Sequence, residues 1–358
     1  MPLLPVFGHE HLRDRLRSAF ERGGLPQSIL LHGEEGIGKQ RVALWLGQLL
    51  LCASDARPCG QCQHCRFVLN LSHPDLLWVF PRPRLKDGDA APDEVKHDII
   101  LAGLDRAQAN GLYEPPLGNE GIYVPAIRLL VQLAAITPAL AKRKVFVVGD
   151  CDRMVPQEGA DQAANAFLKL LEEPPADTVL ILTTSAPGAL LPTIRSRVVS
   201  LRMAPISSAT MREWASQDVV KSSLDKMDVV ATVDARIRLA AGAPGRLVSA
   251  ASTESAAEKA RLFLEVAAAG NAERKLRFAL SQGSAGARGN FSDILEALTV
   301  ALHDRARAAV EASDENTARN AARAVALVEE SKLMAGGNVN PQLISASLLD
   351  ALSRALSA

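Results

Sequence analysis

Four of the five cysteines in this 358-residue sequence lie close together, with the spacing of metal ligands. Cys52, Cys59, Cys62 and Cys65 fall within fourteen residues, and the last three repeat as Cys-x-x-Cys-x-x-Cys. Thiolates separated by two residues can converge on one tetrahedral Zn²⁺. A disulfide framework is the alternative, but it requires an oxidising compartment, to which nothing in the sequence directs the chain. The spacing therefore predicts a structural zinc site, with His64 as a bystander.

A glycine-rich segment after a short apolar run has the pattern of a phosphate-binding loop. The run Ser28–His32 predicts a buried strand, residues 33–40 read Gly-Glu-Glu-Gly-Ile-Gly-Lys-Gln, and a helical pattern follows. Backbone N–H groups, the helix dipole and Lys39 can all bind phosphates. The residue after the lysine should carry a hydroxyl that ligates Mg²⁺, but it is Gln40. The candidate nucleotide-contacting residues are Gly33, Gly36, Gly38, Lys39 and Gln40; they leave ATP or ADP binding open and predict that Mg²⁺ is not properly coordinated.

A second apolar run, Lys144–Val148, predicts another buried strand, and the residues after it complete the candidate nucleotide site. Phosphate-loop ATPases place a Mg²⁺-holding Asp here and often a water-activating Glu. The apolar run puts Gly149 in the Asp position and Asp150 in place of the longer Glu. A shift of one residue makes Asp150 the metal ligand and leaves Cys151 where the base belongs. Either register lacks one catalytic group, which together with Gln40 predicts little or no hydrolysis.

Composition and charge limit the classes of protein to consider. The 40 Lys and Arg residues balance the 40 Asp and Glu residues, so the formal net charge is zero. This balance disfavours a DNA-coating or polybasic membrane protein, but it does not exclude a local basic patch. No uncharged apolar stretch is long enough to span a bilayer and the first residues lack a signal-peptide pattern, so we expect a soluble, cytoplasmic protein. A chain of 358 residues is expected to form more than one domain.

Further segments, spread over nearly the whole chain, match the pattern of one protein family. The two most specific are Asn-Ala-Phe-Leu-Lys-Leu-Leu-Glu-Glu-Pro-Pro at 165–175 and Leu-Pro-Thr-Ile-Arg-Ser-Arg at 191–197. The others comprise residues 6–9, 24–28, 73–75 and 338–343. Their number and order make the match specific. On these residues the sequence resembles the AAA+ clamp-loader family of bacterial DNA polymerase III, and within it the delta-prime type of subunit.

The resemblance, together with apolar strands that alternate with helical stretches, implies three domains. Residues 1–204 should form an α/β AAA+ P-loop domain, a parallel sheet with helices on both faces, that contains the zinc module (52–65) and an insert (81–121). Residues 205–251 should form a small helical lid, and residues 252–358 an all-α collar that holds subunits together. The insert is rich in Pro, Gly, Asp and Ala, and we interpret it as a surface loop with one short helix at 94–109 and no assigned function.

The resemblance also assigns a role to one arginine. The Ser-Arg-Cys motif of the family corresponds to Ser196-Arg197, with Val198 in the place of the cysteine. Arg197 is thereby implied to be an arginine finger, whose planar guanidinium reaches into the ATP site of a neighbouring subunit. The alternative is that Arg197 only pairs with a carboxylate of its own chain.

Two further family positions are polar sensors of the nucleotide. Thr183, Thr184 and Ser185 end an apolar strand where the family has the first sensor, and the sequence does not decide among them. Gly245 stands at the position of the second sensor, an arginine, and Arg246 comes one residue late. This departure agrees with a subunit that does not respond to its own nucleotide.

The resemblance implies a clamp-loader subunit that hydrolyses little or no ATP of its own. Such a subunit assembles with gamma/tau ATPase subunits and a delta subunit, donates its arginine in trans, and helps to load the sliding clamp onto primed DNA within the polymerase holoenzyme. Two alternatives are an active gamma/tau-type ATPase, against which Gln40 and Gly149 argue, and a zinc-dependent nucleic-acid-binding module, which the neutral charge disfavours.

Overall fold

Two compact units divide the chain in the structure, a computed structural model. It describes residues 3, 6–83, 91–108, 120–154, 161–225, 233–240, 242–268, 271–281, 288–336 and 340–357. The first unit runs from Met1 to Val248 without residues 117–119, and the second contains Ser249–Ala358. Much of the predicted insert (84–90 and 109–119) and the start of the C-terminal family pattern (338–339) lie outside the described residues. The division of the first unit into a sheet domain and a lid stays a prediction.

A five-stranded parallel sheet organises the first unit, in the order β2-β3-β4-β1-β5. The strands are β1 Ser28–His32, β2 Leu76–Val79, β3 Lys144–Val148, β4 Thr178–Thr184 and β5 Val199–Arg202. β1 therefore has β4 on one side and β5 on the other, so the strand order reverses beside it. Parallel sheets bind ligands at the carboxyl ends of the strands near such a reversal. The glycine-rich loop leaves β1 at this point, where the fold can position it for phosphates.

Alternating side chains of the strands fill two apolar cores, one on each face of the sheet. Ile29 and Leu31 belong to one core with α2, while Leu30, between them, belongs to the other with α5 and α6. This alternation follows from the two-residue period of a strand, and both faces are apolar because helices cover both. The helices of this part are α1 Glu10–Glu21, α2 Lys39–Leu51, α3 Gln63–Leu69, α4 Pro92–Gln108, α5 Val124–Ala135, α6 Asp161–Glu172 and α7 Pro192–Arg195.

Short helices follow the sheet and surround a small core of their own. They are α8 Ser208–Ala215, α9 Asp218–Asp225, α10 Val233–Ala240 and the start of α11 Pro244–Ala268. Met211, Val220 and Leu247 are almost fully buried in this core. The predicted small helical region after the sheet is confirmed.

The second unit is helical throughout its described residues. Its helices are the remainder of α11, then α12 Ala272–Ser281, α13 Arg288–Glu311, α14 Glu315–Gly336 and α15 Pro341–Ser357. The predicted stripe on α13, from Phe291 through Leu298 to Leu302, lies at helical spacing and is buried in the core of this unit. The predicted fold class, a parallel α/β domain followed by a helical lid and an all-α region, is therefore confirmed.

The insert contributes more to the fold than a surface loop does. Its helix α4 has 17 residues. Val95 and Ile99 are each 1% exposed in the core on one face of the sheet. These positions are four residues apart and share one face of the helix. The helix interpreted at 94–109 is therefore present, but it packs into the core and is not part of a surface loop.

None of the helices in the described ranges combines the length and the apolar character that a membrane span requires.

Candidate functional site

The four clustered cysteines converge on one point. Their sulfur atoms all lie within 4.8 Å of one another. Separations are 3.6 Å for Cys52 and Cys59, 3.8 Å for Cys52 and Cys62, and 3.9 Å for Cys59 and Cys65. A tetrahedral Zn²⁺ with Zn–S bonds of about 2.3 Å places its sulfurs about 3.8 Å apart, whereas a disulfide needs about 2.05 Å. The arrangement therefore fits a tetrahedral metal and not a disulfide.

Backbone hydrogen bonds and burial shift the pKa values of the cysteine thiols in this cluster. The N–H groups of Cys62 and Gln61 lower the pKa of Cys59 to about 6, which favours its thiolate. Burial raises the pKa of Cys52 and of Cys65. Holding the buried pair as thiolates therefore requires a nearby cation. The residues fit Zn²⁺ as a structural ion, because four thiolates leave no open position.

His64 turns away from the sulfurs and connects the cysteine module, residues 52–65, to the sheet. Its Nδ1 lies 2.9 Å from Nε2 of His73, whose Nδ1 accepts the N–H of Asp75. Burial lowers the pKa of His73 to about 4, so the ring is neutral and Nε2 donates to His64. The Asp75 carboxylate accepts the N–H groups of residues 139, 140 and 141, just before β3. Sequence reasoning noted residues 73–75 only as a family string and missed this structural role.

Replacing Cys59 by serine is expected to remove the metal. The free energy of unfolding should fall by about 3 kcal/mol, the linkage expected for zinc at a few hundred times its Kd. Metal content by mass spectrometry and thermal melting with and without a chelator measure both effects. The control is Gln61→Ser, on the exposed residue between two ligands. Native protein that contains no zinc, or a Cys59→Ser variant that melts like the native chain, would contradict the metal assignment.

The lysine of the glycine-rich loop is turned inward. Lys39 is 5% exposed. Its Nζ donates to the carbonyls of Gly33 and Glu34 and to the hydroxyl of Ser185, at 3.0, 2.8 and 2.8 Å. Burial lowers the pKa of this lysine. The loop therefore has its predicted strand–loop–helix context, but the charge that would bind a phosphate is satisfied by three protein oxygens.

The side chain of Gln40 packs directly against Gly149 and is held by two hydrogen bonds. Its amide oxygen accepts the indole N–H of Trp78 at 2.8 Å, and its amide nitrogen donates to Asp150 at 2.8 Å. A Cβ atom built on Gly149 would lie 2.2 Å from the amide oxygen and 2.4 Å from the amide carbon. A side chain at position 149 would therefore force the Gln40 amide away from its bonds to Trp78 and Asp150. The two departures from the ATPase pattern therefore contact each other.

The start of α11 covers the glycine-rich loop. The N–H of Gly245 donates to the carbonyl of Gly36 at 2.7 Å. A Cβ on Gly245 would lie 2.7 Å from the Cα of Gly36. Arg246 pairs with Glu34 of the loop at 3.3 Å. A glycine at 245 thus permits the close backbone contact, and an arginine there would prevent it.

The three candidate sensor residues point in different directions. Ser185 contacts Lys39, as described above. Thr183 accepts the backbone N–H of Asp150 at 3.1 Å, and Thr184 bonds to Asp152. Of these three residues, Ser185 is the one that contacts Lys39 of the glycine-rich loop.

Arg197 is held by a carboxylate of its own chain. Its Nε donates to Glu172 at 2.9 Å and its Nη1 to the carbonyl of Thr193 at 3.0 Å. The side chain remains 29% exposed. Glu172 is the last residue of α6, within the string 165–175. Sequence reasoning weighed such a pairing but could not name the partner.

The family comparison covers the part of the chain that contains the five-stranded sheet. The family model described as "DNA polymerase III, delta subunit" matches residues 8–207, more than half of the chain. A curated DNA polymerase III subunit delta′ from Pseudomonas aeruginosa is 31% identical over 192 residues, 53% of this chain and 47% of that protein. The Escherichia coli delta′ subunit is 28% identical over 234 residues, 65% and 56%. A gamma/tau subunit from Mycobacterium tuberculosis is 31% identical over 209 residues, 58% and 29%. The chain spans about half the length of the delta′ relatives it matches.

A solved structure of a gamma subunit-related protein from Thermotoga maritima aligns with 96% of this chain and 98% of that chain, at 17% identity and a TM-score of 0.45. The family assignment rests on the sequence matches. Because the family model covers more than half of its residues, the chain belongs to the DNA polymerase III delta subunit family.

Proposed function

We propose that the chain is the delta-prime type of clamp-loader subunit, one that binds no hydrolysable Mg²⁺–ATP of its own. In this role it assembles in the cytoplasm with gamma/tau-type ATPase subunits and a delta subunit. It donates Arg197 to a neighbouring ATP site, and the complex loads the sliding clamp onto primed DNA. Family membership supports the general role, and the geometry of the nucleotide site supports the absence of hydrolysis.

One observation carries the proposal: the amide of Gln40 contacts Gly149 and bonds to Asp150. In phosphate-loop ATPases, a hydroxyl after the loop lysine and an Asp at the end of the neighbouring strand hold the metal together. Here the equivalent residues, Gln40 and Gly149, contact each other directly. That contact favours the register in which Gly149 replaces the metal-binding Asp, with Asp150 in the Glu position. Neither position then carries the usual metal ligand, and the bond from Trp78 holds the Gln40 amide in place.

The contacts of the loop itself also favour a subunit that does not use nucleotide. A bound phosphate would have to displace the bonds from Lys39 to Gly33, Glu34 and Ser185. It would also have to share the loop with the Gly36–Gly245 contact. Each displacement costs hydrogen bonds that the phosphate must replace. The chain is therefore suited to a rigid partner whose neighbours supply the ATP.

Arg197 is suited to act outside its own chain. Its pairing with Glu172 leaves the guanidinium 29% exposed, and Glu172 is itself 56% exposed. An exposed ion pair of this kind contributes little stability and is easily exchanged. A neighbouring γ-phosphate can therefore compete with Glu172 for the planar guanidinium.

Exposed leucines on the helical unit support assembly with other subunits. Leu276 and Leu280 on α12 are each 58% exposed, and Leu343 on α15 is 66% exposed. Gln342 donates to the carbonyl of Leu280, which brings the end of α12 beside the start of α15. Apolar side chains grouped on one surface are typical of contact sites between proteins. We assign this surface to the collar contact with the ATPase subunits.

The gamma/tau-type ATPase is the second candidate, favoured by the identity shared with a gamma/tau subunit. Mg²⁺-dependent ATP turnover by the purified chain separates the two functions. The delta-prime proposal predicts none, whereas turnover that depends on Lys39 would establish the ATPase.

A further inference from the structure

Two arginines from distant parts of the sequence are stacked on the same aromatic ring. The guanidinium carbons of Arg57 and Arg143 each lie 5.4 Å from the ring centroid of Phe20. Phe20 lies on α1 and packs against the sheet core. Arg57 belongs to the loop between Cys52 and Cys59, and Arg143 comes immediately before β3. Three elements therefore converge to hold two positive charges within about 11 Å of each other, a limit set by the two stacking distances.

Neither of these charges is neutralised by the part of the chain that the structure describes. The Nε of Arg57 donates to the carbonyl of Ser54 at 2.7 Å, and no described carboxylate forms an ion pair with Arg57 or Arg143. Arg13 and Arg17, which stack on nearby Trp45, differ in this respect. They pair with acidic residues of α1 at 3.2 and 3.1 Å. Within the described residues, acidic side chains therefore neutralise one pair of stacked arginines and not the other.

Contacts with neighbouring elements restrict the positions of Arg57 and Arg143. Arg17 donates from Nε to the carbonyl of Arg57 at 3.2 Å, which joins α1 to the loop that carries Arg57. Stacking on Phe20 restricts both guanidinium groups further. A planar guanidinium held in this way loses little entropy when it binds, and its free N–H groups match the oxygens of a phosphate. The exposed Lys142 adds a third positive charge next to Arg143.

We propose that Arg57 and Arg143, supported by Phe20, bind the phosphodiester backbone of DNA. Two cations held on one ring match a ligand with repeated negative charges better than a single carboxylate. The ring of Phe20 supports the arginines and contacts the core. Because the arginines would contact phosphates and not base edges, DNA binding at this site would be independent of base sequence. The inference rests on the proposed function in choosing DNA as the polyanion. The proposal also agrees with the formal net charge of zero, because a local positive patch does not require a positive net charge of the whole chain.

The test is the salt dependence of DNA binding by the full chain, measured without ATP or partner subunits. Fluorescence anisotropy with a labelled 30-nucleotide single strand at 25–200 mM KCl gives the slope of log K against log salt. The double variant Arg57→Gln/Arg143→Gln should reduce that slope by about 1.4, which corresponds to two phosphate contacts on a single strand, and weaken binding by about tenfold at the lowest salt. Arg143→Gln alone should give about half the change in slope.

The matched control is Arg15→Gln/Arg22→Gln, which removes the same charge from exposed positions of the same part of the chain. It should leave the slope unchanged. The proposal is overturned if the native chain does not bind DNA at 25 mM KCl, or if the two double variants behave alike. It is also overturned if polyglutamate competes as well as DNA, which would indicate an acidic protein surface as the ligand. None of these results depends on ATP turnover, so failure here leaves the proposed function standing.

Discussion

Replacing Gly149 by aspartate is expected to lower the free energy of unfolding by about 3 kcal/mol. The new Cβ would lie 2.2 Å from the amide oxygen of Gln40, and the Gln40 side chain cannot move aside without losing its bonds to Trp78 and Asp150. The added carboxylate would also lie beside the negative charge of Asp150. Urea denaturation, with the midpoint and slope compared between variants, measures the change.

Two controls isolate the cause of this loss. Gly188→Asp adds the same charge at an exposed glycine with nothing within 4 Å of its Cβ, and it should change stability little. Gly149→Ala keeps the steric conflict and removes the charge, so it should still cost about 2 kcal/mol.

A second substitution should rescue the first. In Gln40→Ser/Gly149→Asp the shorter serine leaves space, and the new carboxylate can accept the indole N–H of Trp78. The two changes should therefore couple by about 2 kcal/mol, whereas independent changes would add. Strictly additive changes in the free energy of unfolding would show that positions 40 and 149 are energetically independent.

Replacing Arg197 by lysine is expected to slow ATP turnover at the neighbouring site of the assembled complex by about a thousandfold, the lower end of the range for arginine fingers. Lysine keeps the positive charge and can still pair with Glu172, but it lacks the planar fork that contacts two phosphate oxygens. Stability of the isolated chain should not change. Turnover is measured in a complex whose other ATP sites carry inactivating substitutions of their loop lysines.

The controls separate a finger from a structural ion pair. Glu172→Gln removes the carboxylate partner at 2.9 Å but leaves the guanidinium intact, so turnover should persist. Arg195→Lys changes an exposed arginine two residues away and should have no effect. If Glu172→Gln lowers turnover as much as Arg197→Lys, the arginine acts only through its own chain, and the finger assignment is wrong.

The parts of the structure that depend on local sequence could be predicted. The cluster of four cysteines follows from their spacing within fourteen residues, since they lie close along the chain. The bounds of β1 and β3 coincide with the apolar runs Ser28–His32 and Lys144–Val148, because a buried parallel strand is apolar on both faces. β4 extends two residues past the apolar Leu182 to Thr184, because hydroxyl groups can end a buried strand when they find partners.

Long-range contacts could not be predicted in the same way. Gln40 was recognised as a departure, but its partner Trp78 lies 38 residues away and no pattern links the two. The pairing of Arg197 with Glu172 joins two family strings that the sequence keeps separate. The stacking of Arg57 and Arg143 on Phe20 depends on three elements meeting in the fold. In each case the residue types were visible, but the packing that gives them a role was not.

The most direct test of the central proposal is a titration of Mg²⁺–ATP into the purified full chain, followed by calorimetry and by phosphate release. The contact of Gln40 with Gly149 and the three bonds of Lys39 predict no binding stronger than about 1 mM, a free energy of about −4 kcal/mol. They also predict a turnover equal to that of a Lys39→Ala variant. Turnover that rises with Mg²⁺ and is lost in Lys39→Ala would contradict the account and identify the chain as an ATPase.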